Sequence, residues 1–133
     1  MKALFLLTST NEVLKYFEGL AALPGWEAKI LLYDQLGGSE QLLYSRTKEY
    51  APDLIVYIGS RWGMTPSAAT LANMNNRIAP AVHICSDAAD TPWWDMLADY
   101  HQKGAFTLQV AIDGSRKWPF AESQMTCLTP VDP

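Results

Sequence analysis

The chain of 133 residues has the length of one domain, enough to bury a self-sufficient core. Hydrophobic residues make up 49% and charged residues 18%, the balance of a globular chain. The net charge of −4, with no cluster of lysine or arginine, argues against nucleic acid as a partner, because binding phosphates requires a basic patch. No apolar run approaches a membrane span, and the run at 3–7 is shorter than a signal-peptide core, so a cytoplasmic location is expected.

Apolar runs and helical patterns alternate along the chain. Strands are predicted at 2–8, 28–33, 53–59, 81–85 and 106–112, with a short sixth strand at 125–128. Helices are predicted between the first five strands, at 11–22, 39–50, 65–78 and 91–103. This alternation with short loops predicts a Rossmann-like three-layer α/β/α sandwich with a mostly parallel sheet of five to six strands.

Four helix starts carry capping signals, and the first is Asn11, a candidate N-cap. Ser39 follows a Gly-Gly turn and is a candidate N-cap. Thr65-Pro66 and Thr91-Pro92 each combine a capping threonine with proline at the first helical position. Helix N-termini near Pro66 and Pro92 would favour a phosphate or carboxylate ligand.

Several catalytic and cofactor motifs are absent from the sequence. It contains no dinucleotide-binding GxGxxG, no P-loop and no nucleophile elbow. Cys85 and Cys127 have no CxxC neighbour, and His83 and His101 have no partner at metal-ligand spacing. We therefore expect no metal site and no cofactor bound by this chain, with both cysteines buried as small apolar residues.

Four loops are expected to meet at the carboxyl edge of the parallel sheet, where open α/β sheets bind ligands. They follow the first, third, fourth and fifth predicted strands, and four of the five tryptophans lie in or beside them. An indole offers a flat apolar face and one N–H donor, and carboxylates accept hydrogen bonds from hydroxyls. The combination suits a sugar. The candidate binding residues are Thr10, Asn11, Gly59, Arg61, Trp62, Ser86, Trp93, Trp94, Asp113 and Trp118.

Simpler roles exist for these residues. Asp87 or Asp90 is a candidate helix cap. Trp93 is spaced to share a helix face with Leu97 and Tyr100, and that face could be the core one. Gly59 and Gly63, in the loop after the third strand, could serve turn geometry alone. Arg61 of the same loop could bind an anion, although a loop arginine is more commonly solvated. His83 alternates within a strand and has the pattern of a core histidine.

Three segments resemble a known enzyme family. Asp53-Leu-Ile-Val-Tyr-Ile-Gly59, the stretch 82–94 with Ser-Asp-Ala-Ala-Asp-Thr-Pro-Trp-Trp, and Gln109-Val-Ala-Ile-Asp-Gly114 resemble the N-terminal half of GT-B glycosyltransferases of the CgeB-like (spore-maturation) group. The closing Leu128-Thr-Pro-Val-Asp-Pro133 resembles the linker into their second half. The resemblance implies a domain over 1–128 and a linker over 129–133 that leads to a missing second domain.

In this family the two halves of the enzyme have different roles. The N-terminal half shapes the acceptor site for a sugar or glycan, and the C-terminal half binds the nucleotide-sugar donor. This chain matches the first half alone, so we expect a domain fragment that does not transfer sugar without its donor-binding partner. The general base in inverting members comes from the N-terminal half. Asp87 and Asp90 are the first candidates for it here, and His83 is the next.

Two other functions fit the same sequence. The first is a stand-alone Rossmann-like or flavodoxin-like module that binds a small ligand or nucleotide at helix N-termini. The second is a protein-interaction domain whose exposed tryptophans pack on a partner.

Overall fold

The chain forms an α/β fold in a computed structural model that describes residues 1–9, 14–59, 65–85, 93–112 and 124–127. The strands are β1 Lys2–Leu7, β2 Glu27–Leu32, β3 Leu54–Ile58, β4 Ala81–Cys85, β5 Leu108–Ile112 and β6 Gln124–Cys127. The helices are α1 Leu14–Ala21, α2 Glu40–Tyr50, α3 Ala68–Arg77 and α4 Trp93–Gln102, and a 3-10 helix, Tyr33–Leu36, precedes α2. Each predicted strand and helix corresponds to one of these elements, and only the 3-10 helix was not predicted.

The six strands form one sheet in the order β2-β1-β3-β4-β5-β6. Every neighbouring pair is parallel, which confirms the predicted Rossmann-like α/β class with a parallel sheet. Parallel strands covered by helices are typically continuous apolar runs, and β3 (Leu-Ile-Val-Tyr-Ile) has this character.

Side chains of β1 alternate between two apolar clusters on opposite faces of the sheet. On the first face, Leu4 and Leu6 join residues of α2 and α3. On the second face, Phe5 and Leu7 lie in a separate cluster with Phe17 of α1, and the Phe5 and Phe17 rings meet edge to face at 5.4 Å. Among the described helices α1 alone packs on this second face, so the complete three-layer sandwich stays a prediction.

The described helix starts revise one capping prediction. Ser39 is the N-cap of α2, and its hydroxyl accepts the Leu42 N–H at 3.1 Å, as predicted. The N-cap of α3 is Ser67 rather than Thr65, because the Ser67 hydroxyl accepts the Thr70 N–H at 3.2 Å. The prediction at Thr65 was wrong because a hydroxyl two residues after it competes for the same role. Within the described ranges, no helix is long and apolar enough to cross a membrane.

Candidate functional site

The sheet order places the carboxyl ends of β1, β3, β4 and β5 side by side. The chain leaves β1 toward α1 on the second face, and it leaves β3 toward α3 on the first face. The crevice between β1 and β3 is therefore the topological switch point, the position at which open parallel sheets bind ligands. The loops predicted to form the site start from these four adjacent strand ends.

Three of the predicted site residues fall within the described part of the chain. Gly59 directly follows β3 and is partly exposed at the edge. Trp93 and Trp94 are the first two residues of α4, so the helix begins where the loop after β4 ends. The remaining predicted residues lie outside the described ranges: Thr10, Asn11, Arg61, Trp62, Ser86, Asp87, Asp90, Asp113 and Trp118.

The helix face that Trp93 was predicted to share is partly described. Leu97 and Tyr100 of α4 are buried, which confirms that their face of the helix packs on the sheet. The side chains of Trp93 and Trp94 lie outside the description, so their core or ligand-binding roles both stay predictions.

A hydrogen-bonded pair fixes the point where the chain leaves β1. The backbone N–H of Ser9 lies 3.1 Å from each carboxylate oxygen of Asp34, and the Ser9 hydroxyl donates to the same carboxylate. Asp34 belongs to the 3-10 helix after β2. The pair ties the exit of β1 to the exit of its neighbour and orients the start of the loop that carries Thr10 and Asn11. Sequence reasoning missed Asp34, although an acidic residue directly after a strand was a usable signal.

The N-terminus of α3 already holds an anion supplied by the protein. The Glu40 carboxylate accepts the Ser67 backbone N–H, the Ser67 hydroxyl at 3.1 Å and the Thr70 hydroxyl at 2.9 Å. The hydrogen bond from the Ser67 backbone is the main reason that the pKa of Glu40 lies below its usual value, and partial burial opposes it. A carboxylate at a helix N-terminus is favourable for the same reason that a bound phosphate would be. The anion position predicted near Pro66 is thus filled from α2.

A small cavity adjoins this contact. Its volume is about 140 Å³, and its wall includes Tyr33, Ser39, Glu40 and Thr65. The Tyr33 hydroxyl donates to the Ile58 carbonyl at 3.2 Å, which connects the cavity wall to the end of β3. Ligand pockets usually enclose roughly 300–1,000 Å³, so this cavity is too small to be the main site. It is a small recess of mixed polar and apolar lining beside the carboxyl edge.

His83 lies in the core rather than at the edge. Its side chain is 1% exposed, and Nδ1 lies 3.2 Å from Oε1 of Gln109. Gln109 Nε2 in turn donates to the Leu97 carbonyl of α4 at 3.0 Å. Burial lowers the pKa of His83 to about 4, so the imidazole is neutral at physiological pH. A buried imidazole enclosed by the sheet and α4 is not available to a substrate, and the core role considered for His83 is the one that the structure supports.

Aromatic rings surround this histidine on the first face of the sheet. The His83 ring stacks on Phe106 at 5.0 Å and meets Tyr100 edge to face at 5.4 Å. Tyr57, directly opposite on β3, is fully buried, and burial raises the pKa of its hydroxyl well above its usual value. Within the described structure neither the Tyr57 hydroxyl nor His83 Nε2 has a hydrogen-bond partner. These unpaired buried groups could not be predicted from the sequence, because neither the burial nor the orientation of a ring can be read from it.

Metal and thiol chemistry have little support in the described residues. They contain no group of three or more His, Cys, Asp or Glu side chains that could hold a metal ion. Cys85 is buried at the end of β4, as expected, and it is not in a disulfide. Cys127 is the last residue of β6, and its side chain lies outside the description.

Comparison with known proteins does not assign this fold to a family. No protein-family model matches the chain, and no curated protein matches it significantly. Function is therefore inferred from the residues at the carboxyl edge of the sheet.

Proposed function

We propose that this chain is the acceptor-side N-terminal domain of a GT-B glycosyltransferase, inactive until it is joined by a donor-binding half. The observation that carries the proposal is the sheet order, which sets the ends of β1, β3, β4 and β5 side by side. The segments that follow those ends are rich in indoles and carboxylates. Indole faces stack on the C–H faces of sugars, and carboxylates accept bonds from sugar hydroxyls.

The segment between β4 and α4 supplies the proposed chemistry. It contains Asp87 and Asp90, and it is followed directly by Trp93 and Trp94 at the start of α4. In an inverting transfer, one carboxylate takes the proton from an acceptor hydroxyl. The oxygen then forms a bond to the anomeric carbon of the donor sugar, and the bond to the nucleoside diphosphate breaks. The donor would bind to the second half, so this chain needs no cofactor of its own.

A buried hydrogen-bond network of His83, Gln109 and the Leu97 carbonyl links β4 to α4 beneath the proposed site. His83 lies two residues before the end of β4, and Gln109 connects it to the Leu97 carbonyl of α4. The end of β4 and the start of α4, which flank residues 86–92, are therefore held at a fixed distance from each other. A site is precise when rigid elements and hydrogen bonds position it.

The alternative of a stand-alone anion or nucleotide module receives less support. Its two proposed anchors were the N-termini of α3 and α4. Glu40 occupies the first of them with its own carboxylate. The start of α4 is left as the one candidate anion site among those considered.

Tryptophan fluorescence during sugar titration tests the proposal. Trp26 lies at the opposite edge of the sheet and packs beside α1, so Trp26→Phe removes a background signal. In that variant we expect glucose, galactose or N-acetylglucosamine to change the emission, and Asp87→Asn or Asp90→Asn to weaken the change. Asp95→Asn is the matched control, because Asp95 is an exposed carboxylate in the first turn of α4 and is not among the predicted site residues. A response to uridine diphosphate and to none of the sugars would instead favour the nucleotide-binding module.

A further inference from the structure

The strand β2 lies at the end of the sheet and pairs with β1 alone among the described strands. The Glu27 N–H donates to the Met1 carbonyl at 2.8 Å, so the backbone groups of Glu27 face β1. Backbone directions alternate along a strand, and the N–H and C=O groups of Ala28 and Ile30 therefore face outward. This row of donors and acceptors is a template for a further strand.

A groove runs beside this edge. It has a volume of about 820 Å³ and lies between β2 and α2. Leu31 and Leu32 of β2 contribute apolar surface to it, and Arg46 and Tyr50 of α2 form part of the opposite wall. The groove provides room for the side chains of an added segment next to the open backbone.

The charges on β2 identify what can pair with it. Glu27 and Lys29 flank Ala28, are both exposed and lie on the same face of the sheet. In an antiparallel pair about a twofold axis at Ala28, Glu27 lies opposite Lys29 of the second copy, and Lys29 lies opposite its Glu27. These are non-hydrogen-bonded positions, where side chains approach most closely, and opposite charges there are stabilising.

Registers centred on other residues of β2 lack this complementarity, and a pair centred on Glu27 would set the two Glu27 side chains against each other. A pair centred on Lys29 would set the two Lys29 side chains against each other, which is destabilising. A pair centred on Ile30 would set Lys29 opposite Leu31, with no charge matched. The outward backbone groups and the charge pattern thus favour one register.

We propose that the β2 edge binds a second copy of this chain as an antiparallel strand pair centred at Ala28, which joins the two sheets into one. The contact is isologous and closes after two copies. It also brings the turn before β2 toward the groove of the other copy. That turn carries Leu23, which is 49% exposed and is one of the large apolar side chains left on the described surface.

Sedimentation velocity over a concentration series tests the proposal, with charge reversal as the decisive step. We expect the unaltered chain to form a reversible dimer. Glu27→Lys or Lys29→Glu alone turns both cross-strand pairs into like charges and should weaken the dimer roughly tenfold or more. The double variant Glu27→Lys/Lys29→Glu restores opposite charges with the signs exchanged, and it should return association to near the original value.

A matched control and a folding check accompany these variants. Asp95→Lys changes the net charge as much as Glu27→Lys but lies on α4, at the other end of the sheet, and should leave the dimer unchanged. Circular dichroism and thermal unfolding show that each variant is folded. A chain that stays monomeric at every concentration overturns the proposal. So does a dimer that is indifferent to the single reversals, or one that the double variant fails to restore.

Discussion

His83 and Gln109 face each other across β4 and β5, with Nδ1 of the histidine 3.2 Å from Oε1 of the glutamine in a buried position. Gln109 also donates from Nε2 to the Leu97 carbonyl, which extends the link to α4. Two strands and a helix are joined by polar groups that water does not reach. Because Oε1 can only accept, Nδ1 carries the proton, and the unpaired Nε2 is the basic nitrogen.

Acid is predicted to destabilise the fold through His83. Its pKa is about 4 in the folded chain against an ordinary value of 6.5. Between these values the unfolded chain binds a proton that the folded chain does not, so the free energy of unfolding falls as the pH falls from about 6.5 to about 4. The loss attributable to this residue is about 3 kcal/mol. Urea unfolding across this range should show a shallower slope for His83→Phe, and an unchanged slope would contradict the assignment.

Replacement of Gln109, which links His83 to the Leu97 carbonyl, is predicted to lower the free energy of unfolding substantially. Gln109→Leu leaves His83 Nδ1 and the Leu97 carbonyl without their partner, in a region closed to water. Each orphaned buried group costs roughly 1–3 kcal/mol, so we expect a loss of about 2–4 kcal/mol in the free energy of unfolding. Gln102→Leu, an exposed position at the end of α4, is the control and should change stability by less than about 0.5 kcal/mol. Equal losses of stability at the two positions would contradict a stabilising role for the hydrogen bonds of Gln109.

Ala51 is a position where glycine should stabilise the fold. It ends α2 with φ of 51°, in the left-handed region, and its N–H bonds to the Thr47 and Lys48 carbonyls. A side chain costs about 1 kcal/mol in this conformation, so Ala51→Gly should raise the free energy of unfolding by roughly 0.5–1 kcal/mol. The same exchange within α3, Ala72→Gly, should lower it by about 1 kcal/mol. Thermal unfolding of the two variants should therefore shift in opposite directions, and a loss of stability in both would contradict the cap assignment.

The sequence was sufficient for the fold because its signals are local. β3 is a continuous apolar run bounded by Pro52 and Gly59, and such runs alternate with helical periodicity along the chain. Side-chain contacts between elements were harder to predict from the sequence. Glu40 reaches from α2 to Ser67 at the start of α3, and nothing in either local segment indicates that approach.

The candidate site was predicted from the loops that follow four strands, and the strand order confirms that the ends of those four strands are adjacent. Asp87 and Asp90 lie between a described strand end and a described helix start, so their roles depend on chemistry that strand pairing does not determine. For His83 the alternation within β4 favoured a core role over that of a base, and its 1% exposure supports the core role.

Chemical-shift mapping of the ¹⁵N-labelled chain with glucose, galactose and N-acetylglucosamine at millimolar concentrations is the most direct test of the central claim. We expect shifts at the carboxyl edge, in the amides of Gly59, Cys85, Trp93 and Trp94, and none in the groove beside β2. Perturbations confined to other surfaces, or an edge that responds to uridine diphosphate and to no sugar, would contradict an acceptor-binding role.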